Sequence, residues 1–265
     1  MPASRHRGSD DVPTVCFRVM TYNVHRCRGL DRAWSPERIA AVIASTHPDI
    51  VALQELDVGR ARSGHVDQAE TIARDLGMDV QFFPALRVME ELYGDAILSR
   101  WPAKTVKAAA LPGLRLPGLE PRGALWSRIQ VDGATVQVIN THLSILGRER
   151  LLQIKALTGP EWLRHPDCRG PVLMMGDLNA TPRSKTYRQV SSHLADAFLA
   201  SRKPRRSHVP DALSDPSAGL HFQRSLRADS GRADIAHTAR LSGFRSSGRG
   251  CGRSGARPAL RPCGN

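Results

Sequence analysis

The sequence of 265 residues contains no apolar run that approaches the ~20 residues needed for a membrane-spanning helix. Its first 13 residues, MPASRHRGSDDVP, lack the apolar segment of a secretory signal, so we expect a cytoplasmic protein. The five cysteines include no CxxC pair, and an odd number cannot all form disulfides, which is typical of free thiols in a reducing compartment. These absences argue against a membrane-spanning protein and against a disulfide-rich secreted domain.

The positive charge is concentrated towards the C-terminus. The formal net charge is +13, a value that on its own favours a nucleic-acid-binding protein. Residues 1–201 carry 25 Lys and Arg against 21 Asp and Glu, whereas residues 202–265 carry 13 against 4. The body of the chain is therefore close to ordinary in charge, and its charge is weak support for a polyanionic partner.

The chain divides into three parts by composition. Residues 1–13 are a polar, disordered lead-in, residues 14–203 are predicted to fold as one domain, and residues 204–265 are predicted to be a disordered basic tail rich in Arg, Gly and Ser. The folded part alternates apolar, β-rich segments with amphipathic helices. Several strands are adjacent hairpin partners, which favours an α/β (α+β) layered sandwich over a plain Rossmann sheet.

Two kinds of element are predicted within the folded part. Strands are expected at Val15–Tyr22, Asp49–Glu55, Ala96–Ser99, Lys104–Leu111, Ala124–Val131, Thr135–Asn140 and Pro171–Met175. Helices are expected from the Ser35-Pro36-Glu37 start onwards, and at Val66–Leu76, Arg148–Leu163 and Ser184–Leu194.

Four short polar segments follow predicted strands, at places where strand ends can converge on one cleft. They are Thr21-Tyr22-Asn23, Gln54-Glu55, Asn140-Thr141-His142 and Gly176-Asp177-Leu178-Asn179. Taken singly, each is more typical of a helix cap, a turn or a core histidine. Together they supply oxygen-rich, cysteine-free ligands, which suit a hard cation such as Mg²⁺ or Mn²⁺ rather than structural zinc.

The motifs that surround these segments resemble those of the endonuclease/exonuclease/phosphatase superfamily, the DNase-I-like metal-dependent phosphohydrolases. The matching motifs are MTYNVH (20–25), DIVALQE (49–55), YGDAILSR (93–100), EPRGAL (120–125), INTHL (139–143) and GDLNATP (176–182). They occur in family order from residue 17 to about residue 200. The resemblance implies a four-layer αββα sandwich, with two packed mixed sheets flanked by helices and the site at one end.

The resemblance also assigns catalytic roles. Glu55 would bind the metal ion, with Asn23 beside it. Asp177 would orient and deprotonate the attacking water. Asn179 and His142 would hold phosphate oxygens and stabilise the charge that develops on them in the transition state.

Further substrate contacts are assigned less specifically. Asn140 and His25 are placed among the phosphate-binding or substrate-binding residues. Arg122 either approaches the phosphate or simply pairs with Glu120. The expected partner is a phosphodiester, either nucleic acid or a phospholipid headgroup, and the expected state is a monomer. The alternative is an inactive sandwich whose basic tail binds nucleic acid or anionic lipid in a salt-sensitive way that depends on residues 202–265.

The family's C-terminal motifs are missing from this sequence. Neither its R-[IL]-D-[HY]-[IV]-F strand nor its Ser-Asp-His motif occurs in residues 202–265. Codons for His208–Gly219, read one nucleotide later, permit TFPTRYPTLRLD, and codons for Gly243–Ser247 read in the same way permit ASDH. We therefore hypothesise a shift of reading frame at about 204–207. The polypeptide as written is then expected to be truncated in its fold, destabilised and nearly inactive.

Overall fold

The computed structural model describes residues 15–114, 119–197, 222–224 and 237–241. The strands are β1 (Val15–Asn23), β2 (Ile50–Val58), β3 (Asp79–Val88), β4 (Glu91–Ser99), β5 (Ala103–Ala110), β6 (Gly123–Val131), β7 (Ala134–His142), β8 (Val172–Asp177), β9 (Ala195–Asp196), β10 (Phe222–Arg224) and β11 (His237–Leu241). The helices are α1 (Pro36–Thr46), α2 (Gln68–Leu76), α3 (Gly147–Leu157) and α4 (Lys185–Ser191).

The strands form two mixed sheets, each with four long strands and short additions at one side. The first sheet has the order β11-β1-β2-β4-β3, and the second has the order β5-β6-β7-β8-β10-β9. In the first sheet β1 runs parallel to β2, and in the second β7 runs parallel to β8. Parallel neighbours end at the same edge of a sheet, so each sheet has one edge at which two carboxyl-terminal strand ends lie side by side.

Three apolar layers hold the molecule together. The inner layer lies between the sheets and includes residues of both, among them Phe17, Ile50, Ile97, Leu125, Val138 and Leu173. α1 and α2 cover the outer face of the first sheet, and α3 and α4 cover the outer face of the second. Successive residues of a strand face opposite sides, so the central strands are apolar on both faces. This arrangement confirms the four-layer αββα sandwich.

The predicted helix boundaries are explained by their caps. Ser35 accepts a hydrogen bond from the Arg38 N–H and begins α1, with Pro36 at the first helical position. α2 begins at Gln68, two residues later than predicted, because Asp67 caps it. It ends at Leu76 and is followed by Gly77, which has a left-handed conformation. α3 is shorter than predicted and ends at Leu157.

The largest difference from the sequence prediction is β3, which was not predicted. It contains Pro84 and lies at the edge of its sheet. Proline is tolerated in an edge strand because one side of the strand has no neighbour to which the missing N–H would donate. Its pairing with β4 shifts register between Pro84 and Leu86.

Two short strands fall inside the range predicted to be a disordered tail. β10 pairs with β8, and β11 pairs antiparallel with β1. The rest of residues 204–265 and the predicted lead-in at 1–13 lie outside the described residues. Within the part of the chain that the structure describes, none of the helices has the length and apolar character required to cross a bilayer.

Candidate active site

The inner faces of the two sheets change from apolar to polar towards one end of the sandwich. On β1, Phe17 and Val19 belong to the inner core, and the next positions on that face are Thr21 and Asn23. The same change occurs on the other central strands, from Ala52 to Gln54, from Ile97 to Asp95, from Val138 to Asn140 and His142, and from Met175 to Asp177. Polar side chains from both sheets therefore face each other at this end.

The first polar level, directly next to the inner core, is a buried amide network that joins the sheets. The Asn140 Nδ2 donates to the carbonyl oxygens of Leu53 at 2.9 Å and Ala96 at 2.8 Å. The Asn140 Oδ1 accepts from the Gln54 Nε2 at 2.8 Å, and that nitrogen also lies 3.0 Å from the Thr21 Oγ1. Because buried amides cost free energy unless they are paired, this network fixes the sheets in one register.

The structure places Asn140, for which phosphate binding was predicted, deeper than the other predicted site residues. Its side chain is completely buried, and both its oxygen and its nitrogen are bonded to protein groups. It lies one level below the site rather than in it. Its contacts are with Leu53 and Gln54, the two residues that precede Glu55, so it acts on the site by holding that segment.

Glu55 lies on a β-bulge of β2. The pairing of β2 with β4 shifts between Leu53 and Leu56, and Glu55 has a φ of +63°. A left-handed backbone in a residue other than glycine costs about 1–3 kcal/mol and persists only where the surroundings hold it. Asp95 on β4 is such a neighbour, since its carboxyl group is buried and the Glu55 N–H acts to lower the pKa of this group. Because of the bulge, the Glu55 side chain does not follow the alternation of side chains between the two faces of β2.

Asn23 connects the two carboxylates of the site. Its Nδ2 donates to the Glu55 Oε1 at 2.9 Å and to the Asp177 Oδ2 at 3.2 Å. Its Oδ1 accepts from the His25 N–H at 3.0 Å, and the His25 Nδ1 lies 3.3 Å from the Glu55 Oε2. Glu55 belongs to the first sheet and Asp177 to the second, so a single amide holds carboxylates from both sheets within its reach.

The end of β8 is shaped by a close approach of two backbones. Gly176 has a φ of +135°, and a Cβ atom at this position would collide with the backbone of Thr141 on β7. Only glycine allows this approach. Beyond it, the Asn179 N–H donates to the Asp177 Oδ1 at 2.9 Å, and Asn179 itself has a φ of +47°. The turn therefore presents Asp177 and Asn179 on the same side.

The tautomer of His142 follows from its neighbour Arg122. The Arg122 guanidinium lies 2.9 Å from the His142 Nδ1 and, because it can only donate, makes Nδ1 the acceptor. Burial, with the nearby Arg122 charge, lowers the pKa of His142 to about 4, so the ring is neutral at pH 7 and its proton is on Nε2. Arg122 also lies 3.5 Å from Glu120, so it makes the predicted pair with Glu120 as well.

Two N–H donors meet beside Asp177. The Asn179 Nδ2 donates to the Leu143 carbonyl oxygen at 2.8 Å and lies 3.2 Å from the His142 Nε2. Since Nε2 carries the imidazole proton, these two nitrogens do not bond to each other. Each has an N–H left for an acceptor, and an anionic oxygen placed against both would be bound by both.

Burial and nearby charges set the ionisation of the two acids in the first sheet. Burial raises the pKa of Asp95 to about 7, although the Arg122 charge acts in the opposite direction. Burial also raises the pKa of Glu55, but the hydrogen bond from Asn23 and the charges of nearby groups, Arg26 among them, outweigh it and lower the pKa below its usual value. Glu55 is therefore the ionised carboxylate on this side of the site.

The donor set fits a magnesium-like cation rather than a metal held wholly by protein. Among residues 15–114 and 119–197 and the two tail strands, no group of three or more His, Cys, Asp or Glu side chains is placed to hold a metal. Mg²⁺ is usually bound by one or two carboxylates, with water and substrate phosphate completing its shell. The ionised Glu55 supplies a ligand of that kind. The Asn23 Oδ1 accepts from the His25 N–H, and it keeps a second lone pair with which it could bind a cation.

The structure brings together all but one of the sequence-predicted site residues. The residues that meet are Asn23, His25, Glu55, Arg122, His142, Asp177 and Asn179. Sequence reasoning named Thr21 and Gln54 in the polar segments but did not assign their supporting roles. Their signal was present as a change from apolar to polar residues at every second position of the strands.

A sequence model of the Endonuclease/Exonuclease/phosphatase family matches residues 20–254. The chain belongs to this family, whose members are phosphohydrolases. This confirms the resemblance drawn from the motifs.

Solved structures share the fold. An endonuclease/exonuclease/phosphatase from Beutenbergia cavernae is 24% identical with a TM-score of 0.58, and the match covers 78% of this chain but only 64% of that protein. The human nocturnin catalytic domain with bound sulfate is 18% identical with a TM-score of 0.57, covering 86% and 94% of the two chains. A mannosyl-6-phosphatase from Bacteroides thetaiotaomicron is 16% identical with a TM-score of 0.57, covering 78% and 85%.

Proposed function

We propose that the chain carries the site of a divalent-metal-dependent phosphodiester hydrolase. The observation that supports this best is the Asn23 amide, which holds Glu55 and Asp177 from different sheets within 2.9 Å and 3.2 Å of one nitrogen. Two carboxylates, two free N–H donors and an arginine around one point are the groups required for attack of water on a phosphoester. Proteins of similar fold include a phosphatase and a domain with bound sulfate.

In this mechanism Asp177 is the general base. Its Oδ1 is held by the Asn179 N–H and its Oδ2 by Asn23, so the carboxylate is fixed in orientation before a substrate arrives. A water molecule bound to Asp177 would transfer a proton to the carboxylate as its oxygen attacks phosphorus. The neutral His142, 3.8 Å from the Asp177 Oδ2, does not compete as a cation for this carboxylate.

The phosphate oxygens would be bound by the two N–H donors that lie beside the base. The His142 Nε2–H and the Asn179 Nδ2–H would donate to the same oxygen, and the two side chains are held by Arg122 and by the Leu143 carbonyl oxygen. Donors that are held in place before reaction stabilise the charge that grows on these oxygens without having to reorganise.

Glu55 and Asn23 are the residues that would hold the divalent ion. When bound, such an ion neutralises charge on the phosphate and on the leaving oxygen. The hydrogen bond from Asn23 lowers the pKa of Glu55 and so helps to keep this carboxylate ionised, while the bulge sets its backbone position. The substrate is proposed to be a phosphodiester, of which nucleic acid and phospholipid headgroups are the two classes considered.

The chain as written is proposed to be impaired. The family's Ser-Asp-His motif supplies a further histidine at the scissile phosphate, and no such motif occurs in residues 202–265. The groups described above would bind and activate the substrate, but one donor to the transition state would be absent. We therefore propose slow rather than full turnover.

Replacing Asp177 by asparagine tests the proposed base. The Asp177→Asn variant keeps the shape of the side chain but cannot accept the proton, so kcat for bis(p-nitrophenyl) phosphate with Mg²⁺ should fall by about 10²–10⁴-fold. Removal of divalent ions with EDTA should abolish turnover, and added Mg²⁺ should restore it.

The matched control is Asp167→Asn, an exposed carboxylate that lies 3.6 Å from Arg128 on β6. This variant should remain within about twofold of the parent, because it changes the same charge outside the site. Turnover that persists in both Asp177→Asn and EDTA would exclude the proposed function.

A further inference from the structure

The segment that follows β1 has an unusual backbone. His25, Arg26 and Cys27 have φ values of 46°, 62° and 57°, so three consecutive residues are left-handed although none is glycine. Each such residue is strained, and strain of this kind persists only where neighbouring groups fix it. The turn follows directly after Asn23, the residue that bridges the two carboxylates of the site.

The turn is fixed at each of its three residues. The His25 N–H donates to the Asn23 Oδ1, and the Arg26 carbonyl oxygen accepts from the Nε2 of buried Gln68 at 2.7 Å. The Cys27 side chain is buried, and its N–H donates to the Val24 carbonyl oxygen at 2.8 Å. These contacts hold the backbone of Arg26, while its side chain has no such contact.

The guanidinium of Arg26 is left with unused donors. Its Nε is buried and has no hydrogen-bond partner, and no ion pair joins the group to any acid in the part of the chain that the structure describes. By contrast, the Arg122 guanidinium contacts both His142 and Glu120. The turn is nevertheless next to the carboxylates of the site, since the Nδ1 of His25, the residue before Arg26, lies 3.3 Å from the Glu55 Oε2.

We propose that Arg26 is a substrate-binding residue that donates hydrogen bonds to an anionic oxygen of the phosphoester. A buried donor without a partner is costly, and a strained turn is needed to place it here, so its partner is expected to arrive from outside the chain. A phosphate oxygen fits because the guanidinium fork matches phosphate geometry. This inference rests on the proposed function, to which it adds a specificity residue.

The proposal is tested by the full-length chain and its Arg26→Gln and Arg26→Lys variants. Two quantities are measured, namely kcat/KM for bis(p-nitrophenyl) phosphate with Mg²⁺ and the dissociation constant of inorganic phosphate by calorimetry in the presence of Mg²⁺. Loss of a charge-assisted hydrogen bond should weaken both by about 10–100-fold in Arg26→Gln. Arg26→Lys should recover part of the loss, because it restores the charge without the fork.

The control is Arg28→Gln, which removes the same charge two residues away. Arg28 is exposed and its guanidinium stacks over the Trp34 ring at 5.2 Å, so both constants should stay within about twofold of the parent. Equal phosphate affinity in the parent and in Arg26→Gln would overturn the proposal, as would a parent that binds no phosphate. A parent that binds phosphate through Arg26 but does not turn over the diester would exclude the proposed function and leave the role of Arg26 standing.

Discussion

At the scale of single residues, the site depends on amide side chains as much as on its acids. Asn23 holds Glu55 and Asp177, Asn179 holds Asp177 and presents a donor, and Asn140 joins the two sheets beneath them. An amide carries a donor and an acceptor, so it can bridge a carboxylate and a backbone group in a way that a charged side chain cannot. The acids supply the chemistry, and the amides set their positions.

The role of Asn140 predicts a specific defect in Asn140→Leu. This variant leaves the Leu53 and Ala96 carbonyl oxygens and the Gln54 amide without their partner, so the free energy of unfolding should fall by about 2–4 kcal/mol in urea. Because the bulge at Glu55 loosens, the Mg²⁺ concentration for half-maximal activity should also rise.

A matched control lies on the same strand. Gln137 is also buried and is bonded to the Trp126 Nε1–H and to the Arg169 carbonyl oxygen, but it lies towards the opposite end of β7. Gln137→Leu should destabilise the protein to a similar extent without changing the Mg²⁺ requirement. If both variants shift the Mg²⁺ requirement equally, Asn140 has only a general structural role.

At the scale of secondary structure, the site is built where regular strands stop being regular. β2 carries the bulge at Glu55, and β8 ends in the close approach of Gly176 to Thr141. A strand alternates its side chains between two faces, so residues that must all point to one place need such interruptions. The helices contribute no site residue and serve to cover the outer faces of the sheets.

Replacement of Gly176 by alanine should disrupt the end of β8. The added Cβ meets the Thr141 backbone, and alanine also disfavours a φ of +135°, so the free energy of unfolding should fall by about 3 kcal/mol or more. Asp177 would be displaced, and turnover should be lost along with stability.

Gly133→Ala separates the two causes. Gly133 has a φ of +86° in the turn between β6 and β7, but a Cβ atom there has nothing within 4 Å. Its cost should be about 1 kcal/mol from the backbone alone. A loss of stability in Gly176→Ala that does not exceed this value, measured by urea unfolding, would show that the close approach to Thr141 is not required.

At the scale of the whole molecule, the site exists because the two sheets pack with their polar ends together. Neither sheet contains the complete set of proposed catalytic groups, since Glu55 and Asn23 come from one and Asp177, Asn179 and His142 are associated with the other. Two strands from the C-terminal part of the chain are added to these sheets. β11 pairs with β1 and β10 pairs with β8, so residues of this part lie beside strands of both sheets.

Restoring the proposed reading frame should therefore change activity. A chain that continues in the shifted frame from about residue 208 gains the Ser-Asp-His motif. It should turn over bis(p-nitrophenyl) phosphate faster by about 10²-fold or more, because one donor to the transition state typically contributes a factor of this size. Replacing the restored histidine by alanine should return the rate to that of the present chain. Equal rates in the restored and present chains would contradict the hypothesis, and so would a nucleotide sequence without that alternative frame.

Much of the fold was predictable from local sequence, because local physical chemistry determines it. The caps at Ser35 and Gly77 set helix ends through contacts within a few residues. A continuous apolar run in the sequence likewise indicates a buried strand. β3 was missed because Pro84 stands inside its apolar run, and a proline within such a run argues against a strand. The site residues were predicted through the family motifs in which they occur.

The sequence by itself determined which residues could carry the chemistry, since residue type and strand-end position are local properties. Only the tertiary structure decided that the Asn140 amide is buried and bonded to Leu53, and that the buried Arg26 Nε has no partner among the residues that the structure describes. It also decided that Asn23 reaches Asp177, which is 154 residues away along the chain. These facts depend on the register of one sheet against the other, which is set by the packing of the inner core and is not encoded in any single segment.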